Sequence, residues 1–234
     1  MVRGRLQCWL SAGGSLLTAL LIGVSSPQPA HAQNLLTNGS FEADNCNTTG
    51  GGYRLGLSGN DMTGWFIPST DGVYPWCLQN VNAFGGGPAA QGNQWLVLGE
   101  TGTGVHYTIQ QTLTGLNVGS QYNLSFSIAS ESGCCSMAEV SFLSGSSTPF
   151  QTFTAPVSGQ YWTQWAQDAM SFTASASSVT IQFQDITVGS LDLGLDDVSV
   201  VAATSPVPEP ASIALLATGL IGIAGVGVKR RRNN

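Results

Sequence analysis

Through the middle of the 234-residue chain, apolar and polar residues alternate with a period of two. In QYNLSFSIA, Tyr122, Leu124, Phe126 and Ile128 fall on one face and their polar neighbours on the other. SSVTIQFQD repeats the pattern with Val179, Ile181 and Phe183, and MAEVSFL with Ala138, Val140 and Phe142. Successive strand side chains point to opposite faces, so this alternation predicts half-buried strands. Turn-forming runs of Gly, Ser, Asn and Thr separate them: TGLNVGS, SGSSTP and SASS. No stretch outside the termini carries a helical period, and no internal repeat is visible. The predicted class is all-β, an antiparallel sandwich or jelly roll over residues 33–202.

Both ends break the pattern. The chain opens with Arg3 and Arg5, an apolar stretch around residues 16–24, then Ala30-His31-Ala32. That is the layout of a secretory signal peptide over residues 1–32, with cleavage expected before Gln33. Near the other end, residues 211–228 are eighteen positions without a charge, stopped by Lys229, Arg230, Arg231 and Arg232. As a helix they would span roughly 27 Å, close to the hydrocarbon thickness of a bilayer. A core helix is the bland alternative, but its place between a proline pair and a cation cluster favours a membrane span held by a cytoplasmic basic tail, residues 229–234. Residues 203–210 form a short linker.

Within that linker, Pro208-Glu209-Pro210, followed by one apolar helix and a terminal Arg cluster, resembles the PEP-CTERM sorting signal of Gram-negative and cyanobacterial surface proteins. The resemblance implies an exosortase-type membrane protease that recognises the triplet and removes the helix. The product would reach the cell surface or the medium, often alongside exopolysaccharide. A GPI tail is the rival, but such tails end in apolar residues and not in KRRR; the N-x-S/T sequons at Asn38, Asn47 and Asn123 are then chance.

Removing both signals changes the charge balance. Between residues 33 and 207, twelve acidic residues face the single basic Arg54, a net charge near −11. Such a surface repels phosphate backbones, so nucleic acid is not an expected partner. It favours divalent cations, although solubility alone explains it.

The outer strands carry a second resemblance. NLLTNGSFE opens the domain and LGLDDVSVV closes it; GNQWLVLGE and TIQQTLTGLNVGSQYNLSFSIA lie between. In this order they resemble the galactose-binding-like jelly rolls of many carbohydrate-binding modules and cell-wall proteins. The resemblance implies two antiparallel sheets with the first and last strands adjacent. It also implies a structural calcium between those strands, with Glu42 and Asp197 as its carboxylates and carbonyls near Asn38 and Ser40 completing an oxygen shell. Polar strand-end residues are the plain alternative.

Four cysteines remain after signal removal: Cys46, Cys77, Cys134 and Cys135. An even count in an exported chain points to disulfides. Cys46 with Cys77 is the preferred pair. Adjacent Cys134 and Cys135 either form a strained vicinal bridge or reach different partners, and their pairing stays open. Zinc is disfavoured, since no C-x-x-C occurs and His106 is the only histidine left.

Catalytic chemistry is thinly provisioned. A Ser-His-Asp triad would need His106, which falls on the face opposite Tyr107 and Ile109 and reads as an outward strand residue. Lysine is absent from residues 33–207, which removes Schiff-base and P-loop chemistry. Glu100, Glu131 and Glu139 could serve a glycosidase, which needs only two placed carboxylates, but Glu131 in its Ser/Gly/Cys loop and Glu139 on a strand's polar face also read as ordinary solvated acids. No enzyme activity is expected.

Aromatic residues offer a binding role instead. Trp65 and Trp165 fit a core. Trp95 shares a face with Val97, opposite Leu96 and Leu98, and is expected to point outward. Tyr74 and Trp76 lie in the turn-rich DGVYPWC. Tyr74, Trp76 and Trp95 are therefore the expected sugar contacts. The expected function is a secreted, non-catalytic protein that binds carbohydrate or associates with exopolysaccharide matrix. A structural or adhesive surface protein without a glycan, signalled by burial of every tryptophan, is one alternative. A small polysaccharide-active enzyme, signalled by a cleft with two facing carboxylates, is the other.

Overall fold

A computed structural model describes residues 33–203, apart from positions 49, 71, 80–86, 100–104, 134, 158, 160 and 190. The expected signal peptide, the Pro-Glu-Pro triplet, the apolar helix and the basic tail lie outside the described residues, as do Glu100 and Cys134.

The described residues form strands and no helix, as the alternation predicted. The strands are β1 (Tyr53–Arg54), β2 (Gly59–Met62), β3 (Trp65–Ile67), β4 (Trp76–Gln79), β5 (Gln94–Leu98), β6 (Thr108–Thr114), β7 (Gln121–Ser130), β8 (Met137–Ser144), β9 (Gln151–Thr154), β10 (Trp165–Thr173), β11 (Ser178–Asp185) and β12 (Leu193–Ala202). They make two antiparallel six-stranded sheets, in the orders β1-β4-β5-β12-β7-β10 and β2-β3-β6-β11-β8-β9. From β6 to β8 and again from β9 to β12 the chain changes sheet at every step, while β8 and β9 form a hairpin within the second sheet, so most neighbouring strands in this half are distant in sequence. This is the expected jelly-roll sandwich.

The core lies between the sheets. Leu124, Phe126 and Ile128 of β7 face Val179, Ile181 and Phe183 of β11, all fully buried. Phe126 meets Phe183 edge to face at 5.1 Å. The opposite faces of β6 and β11 carry the polar partners of the alternation: Gln110 donates to Gln182 at 2.7 Å, and the Thr112 and Thr180 hydroxyls lie 2.9 Å apart.

Sheet one is also buried on its outer face. There Trp76, Leu78, Trp95, Val97, Ala129 and Trp162 form a second apolar cluster. This corrects the expectation for Trp95: it does point away from the main core, but it is 0% exposed. Its ring lies 6.3 Å from Trp162 and 6.2 Å from Trp165, which close over it. The covering segments are tied together, since Trp165 Nε1 donates to the Pro88 carbonyl and the Gly87 amide to the Tyr161 carbonyl.

The first and last segments are adjacent, as the jelly-roll resemblance implied. The Leu35 amide donates to the Val200 carbonyl, and Asn34 Oδ1 accepts the Val200 amide. Register along β12 shifts between Asp196 and Ser199, and Asp197 sits at a φ of 50°. This is a bulge, which bends a strand and re-aims its side chains. Gly39 passes so close that an added β-carbon would lie 1.9 Å from the Val198 carbonyl oxygen, so only glycine fits there. Cys46 and Cys77 form the expected disulfide, which ties the loop after this segment to β4. Cys135 is disulfide-bonded as well.

Candidate functional site

An aromatic cavity of about 290 Å³ opens at one end of sheet one. Its walls are Tyr74, Trp76, Tyr161 and Trp162, its rim includes Leu55 and Val73, and its two acids are Glu131 and Asp192. The walls and acids come from four regions of the chain: the turn into β4 with its first residue, the residue after β7, the loop before β10, and the residue before β12; Leu55, after β1, adds to the rim.

Each part is held by identifiable contacts. The Tyr74 ring lies against Gly99, where an added β-carbon would fall 2.1 Å from Tyr74 Cδ1. That ring stacks on Tyr107 at 5.9 Å, and its hydroxyl donates to Asp192 Oδ2 at 2.8 Å. Trp162 adopts a φ of 46°, and its amide donates to the Ser130 and Glu131 carbonyls. Its indole lies over Gly194, where an added β-carbon would approach Trp162 Cδ1 to 2.7 Å. Glu131 and Asp192 are joined twice. The Glu131 amide donates to the Asp192 carbonyl, and the Asp192 amide donates to Glu131 Oε2 at 3.2 Å.

The rings form corners and not a flat shelf. Trp76 is nearly perpendicular to both Tyr74 (75°) and Trp162 (76°), at centroid distances of 6.4 and 6.0 Å. Tyr161, 41% exposed, stands at the mouth, whereas Trp76 is only 6% exposed. Asp192 is buried and Glu131 half-buried. Burial pushes the Glu131 carboxyl above its ordinary range, opposed by the Asp192 amide that it accepts.

Of the three expected sugar contacts, the structure brings Tyr74 and Trp76 into this cavity and leaves Trp95 in the layer behind it. Tyr161, Trp162 and Asp192 were not singled out from the sequence, and Glu131 read as a loop acid. Trp162 carries no local signal of its role, because what places it is contact with β7 and β12, both remote in sequence.

A larger depression, about 410 Å³, lies on sheet two, lined by Phe66, Gln110, Thr112 and Thr180 among others. Gln110 and Thr112 bond to Gln182 and Thr180 of β11, and Gln111 donates to the Thr37 carbonyl. No ionisable side chain lines it.

The expected calcium carboxylates sit where the chain's first and last segments meet. Glu42 is exposed, and its Oε1 accepts the amides of Asn93 and Gln94, both at 2.6 Å. Asp197 is half-buried, and burial raises its carboxyl. Its neighbour Asp196 is 0% exposed and spends Oδ2 on the Gln91 amide and Oδ1 on the Asp197 amide. Backbone amides engage both Asp196 oxygens, whereas the two amides on Glu42 fall on one oxygen, Oε1. Among the described residues no three His, Cys, Asp or Glu side chains gather into a metal-binding group.

Three solved structures are similar to this chain. The enzymatically active domain of bacteriophage CBA120 tailspike protein 4 is 14% identical, with a TM-score of 0.48 over 73% of this chain; the chain spans only 21% of it. TmCBM61 in complex with β-1,4-galactotriose is 15% identical, with a TM-score of 0.42, covering 74% of this chain and 100% of its own. The CBM22-1 xylan-binding domain of Paenibacillus barcinonensis Xyn10C is 14% identical, with a TM-score of 0.45, covering 74% and 97%. Likenesses at this level carry no argument about activity. No curated protein matches the chain. Residues 206–232 match the PEP-CTERM protein-sorting motif, which marks an exported protein processed at the membrane. Residues 34–192 match the family described as "Protein of unknown function (DUF642)", and the chain belongs to that family.

Proposed function

We propose that the protein is sorted to the cell surface or the medium, after an exosortase-type protease acts at Pro208-Glu209-Pro210, and that it binds polysaccharide there without cleaving it. The observation that carries the binding reading is the cavity walled by Tyr74, Trp76, Tyr161 and Trp162. Sugar rings combine apolar C–H faces with a polar rim. A pocket of aromatic rings with a few placed polar groups matches that chemistry. Titration of the full-length chain, purified in mild detergent, with a panel of oligosaccharides tests this reading. Trp162→Ala should abolish whatever binding the native chain shows. Absence of binding across the panel would return the protein to the structural or adhesive class.

One observation favours a second reading. Glu131 and Asp192 share a cavity, and burial raises the Glu131 carboxyl, as glycoside hydrolysis requires of its acid. Against it, Asp192 is pinned by the Tyr74 hydroxyl and Glu131 by the Asp192 amide, so both acids serve the scaffold. New reducing ends after incubation with the bound oligosaccharide would establish the enzymatic reading.

A structural calcium held by Glu42 and Asp197 is the remaining part of the proposal. It is supported by the meeting of residues 34–39 with β12. The ion would staple the two ends of the domain and take no part in ligand chemistry.

A further inference from the structure

The two ends of the sandwich differ in charge. β7 and β12 run antiparallel side by side, so Glu131 and Asp192 of the cavity mark one end, and Gln121 and Ala202 the other. At about 3.3 Å per residue, the ten residues of β12 put roughly 33 Å between those ends. The end away from the cavity is the base from which the chain leaves at Ala203, whose amide donates to the Gln121 carbonyl. Three turns close this base: residues 115–120 between β6 and β7, 145–150 between β8 and β9, and 174–177 between β10 and β11. They are bonded to one another. The Leu116 amide donates to the Ser177 carbonyl, the Gly119 amide to Ala174, and the Ser175 amide to Gly145.

Residues 101–130, 140–167, 169–184 and 198–208 contain no Asp, Glu, Lys or Arg. These stretches hold all three turns and the strand ends that enter them. None of the twelve acids between residues 33 and 207 therefore falls on the base, whereas Glu131, Asp185 and Asp192 lie at the cavity end. Surface turns are where charged side chains are cheapest to place. A whole end without them, in a domain so acidic, faces something other than open water. What the base exposes instead includes Val118 in the first turn and Leu143 beside the second, 66% and 52% exposed.

The length of chain beyond the base limits what that something is. Eight steps separate Ala203 from Ala211, where the apolar stretch begins. Even fully extended they reach about 29 Å at most, less than the length of the domain. With that stretch in a bilayer, the base is held close to the lipid surface. So short a tether raises the effective concentration of the base at that surface, and a weak contact suffices. Anionic headgroups repel acids. The uncharged end is the one that can approach them.

We propose that, before processing, the base of the domain rests on the lipid surface. Val118 and Leu143 then meet the interface, and the aromatic cavity is held out on the far side. This inference rests on the sorting part of the reading above and adds an orientation to it.

The test uses the full-length chain in vesicles of phosphatidylethanolamine and phosphatidylglycerol. A photocrosslinking amino acid replaces Val118, Leu143 or Val188. Val188, 93% exposed, lies between β11 and β12 at the cavity end. Flotation shows that the chain is held by the vesicles, and circular dichroism that it is folded. Illumination should give lipid adducts at positions 118 and 143 and none at 188, the most exposed of the three. Val118→Asp combined with Ser177→Asp places acids on the base. Adducts at 143 should then fall about fivefold for each acid, the size of one charge at an anionic surface. They should recover as sodium chloride rises.

Adducts at 188 as strong as at 118, or none at any position in a chain that floats, would overturn the docking and leave the sorting reading standing. Unchanged adducts at 143 in the doubly acidic variant would also overturn it. A chain that fails to float would overturn both.

Discussion

The Tyr74 hydroxyl donates to Asp192 Oδ2 at 2.8 Å, although 118 positions separate the two residues in the chain. This bond joins the turn into β4 to the approach of β12 and sets one wall of the aromatic cavity. Tyr74→Phe keeps the ring and removes the donor from a buried carboxylate. The expected loss is about 1–2 kcal/mol, measured as a lower denaturation midpoint at unchanged slope. An unchanged midpoint would mean that the bond adds nothing to the fold.

Gly99→Ala tests whether the Tyr74 ring must lie where it does. An added β-carbon would fall 2.1 Å from Tyr74 Cδ1, far inside van der Waals contact. The ring has to move, and ligand affinity should fall by about tenfold or more, with a smaller loss of stability. Native affinity in this variant would show that the wall can shift without consequence.

The Cys46–Cys77 bridge closes a separation of 31 positions. In the chain-entropy account a loop of this size adds about 3–4 kcal/mol. Replacing both cysteines by alanine should lower Tm by several degrees or more. A Tm within a degree of the native value would refute the estimate.

Acidity should stabilise this domain. Burial pushes the Asp196 carboxyl from 3.8 up to about 7, against the amides that it accepts from Gln91 and Asp197. Between those two values the folded chain holds a proton that the unfolded chain has released. Stability from this group is therefore full below about pH 4 and declines as pH rises toward about 7. Glu131, Asp168 and Asp197 shift the same way through burial. Asp61 opposes them: the Ser58 amide is the largest influence lowering its pKa, with Arg54 adding to it, so its contribution is lost in acid. Thermal melts should show Tm falling from pH 4.5 to 7.5, and Asp196→Asn should flatten that slope. An equal slope in the variant would assign the effect elsewhere.

If Glu42 and Asp197 hold a calcium, millimolar calcium should raise Tm and EDTA should reverse the change. Calcium at a hundred times its dissociation constant would add about 2.7 kcal/mol. Glu42→Gln should remove the response. A chain indifferent to both additions has no such site.

The main core was legible because its strands bury one face only, so Tyr122, Leu124, Phe126 and Ile128 alternate cleanly with polar residues. Trp95 shows where that reading stops. Its orientation followed from alternation, but its burial depends on Trp162 and Trp165, which fold back from more than sixty positions away. The one local clue was that QWLVL has an almost unbroken apolar run, which marks a strand covered on both sides. The jelly-roll resemblance pointed to Asp197, but nothing in the sequence marked its neighbour Asp196 as the buried acid of the pair. The bulge in β12 separates them, burying one and turning the other aside.

The place of β12 has a mechanical consequence. It is flanked by β5 on one side and β7 on the other, and residues 34–39 bond along its bulged half. Tension entering from the C-terminal side of residue 203 would pull this strand lengthwise, so its lateral bonds would share the load together instead of opening one after another. The same strand that completes the sheet is built to withstand a tug from the end that carries the sorting motif.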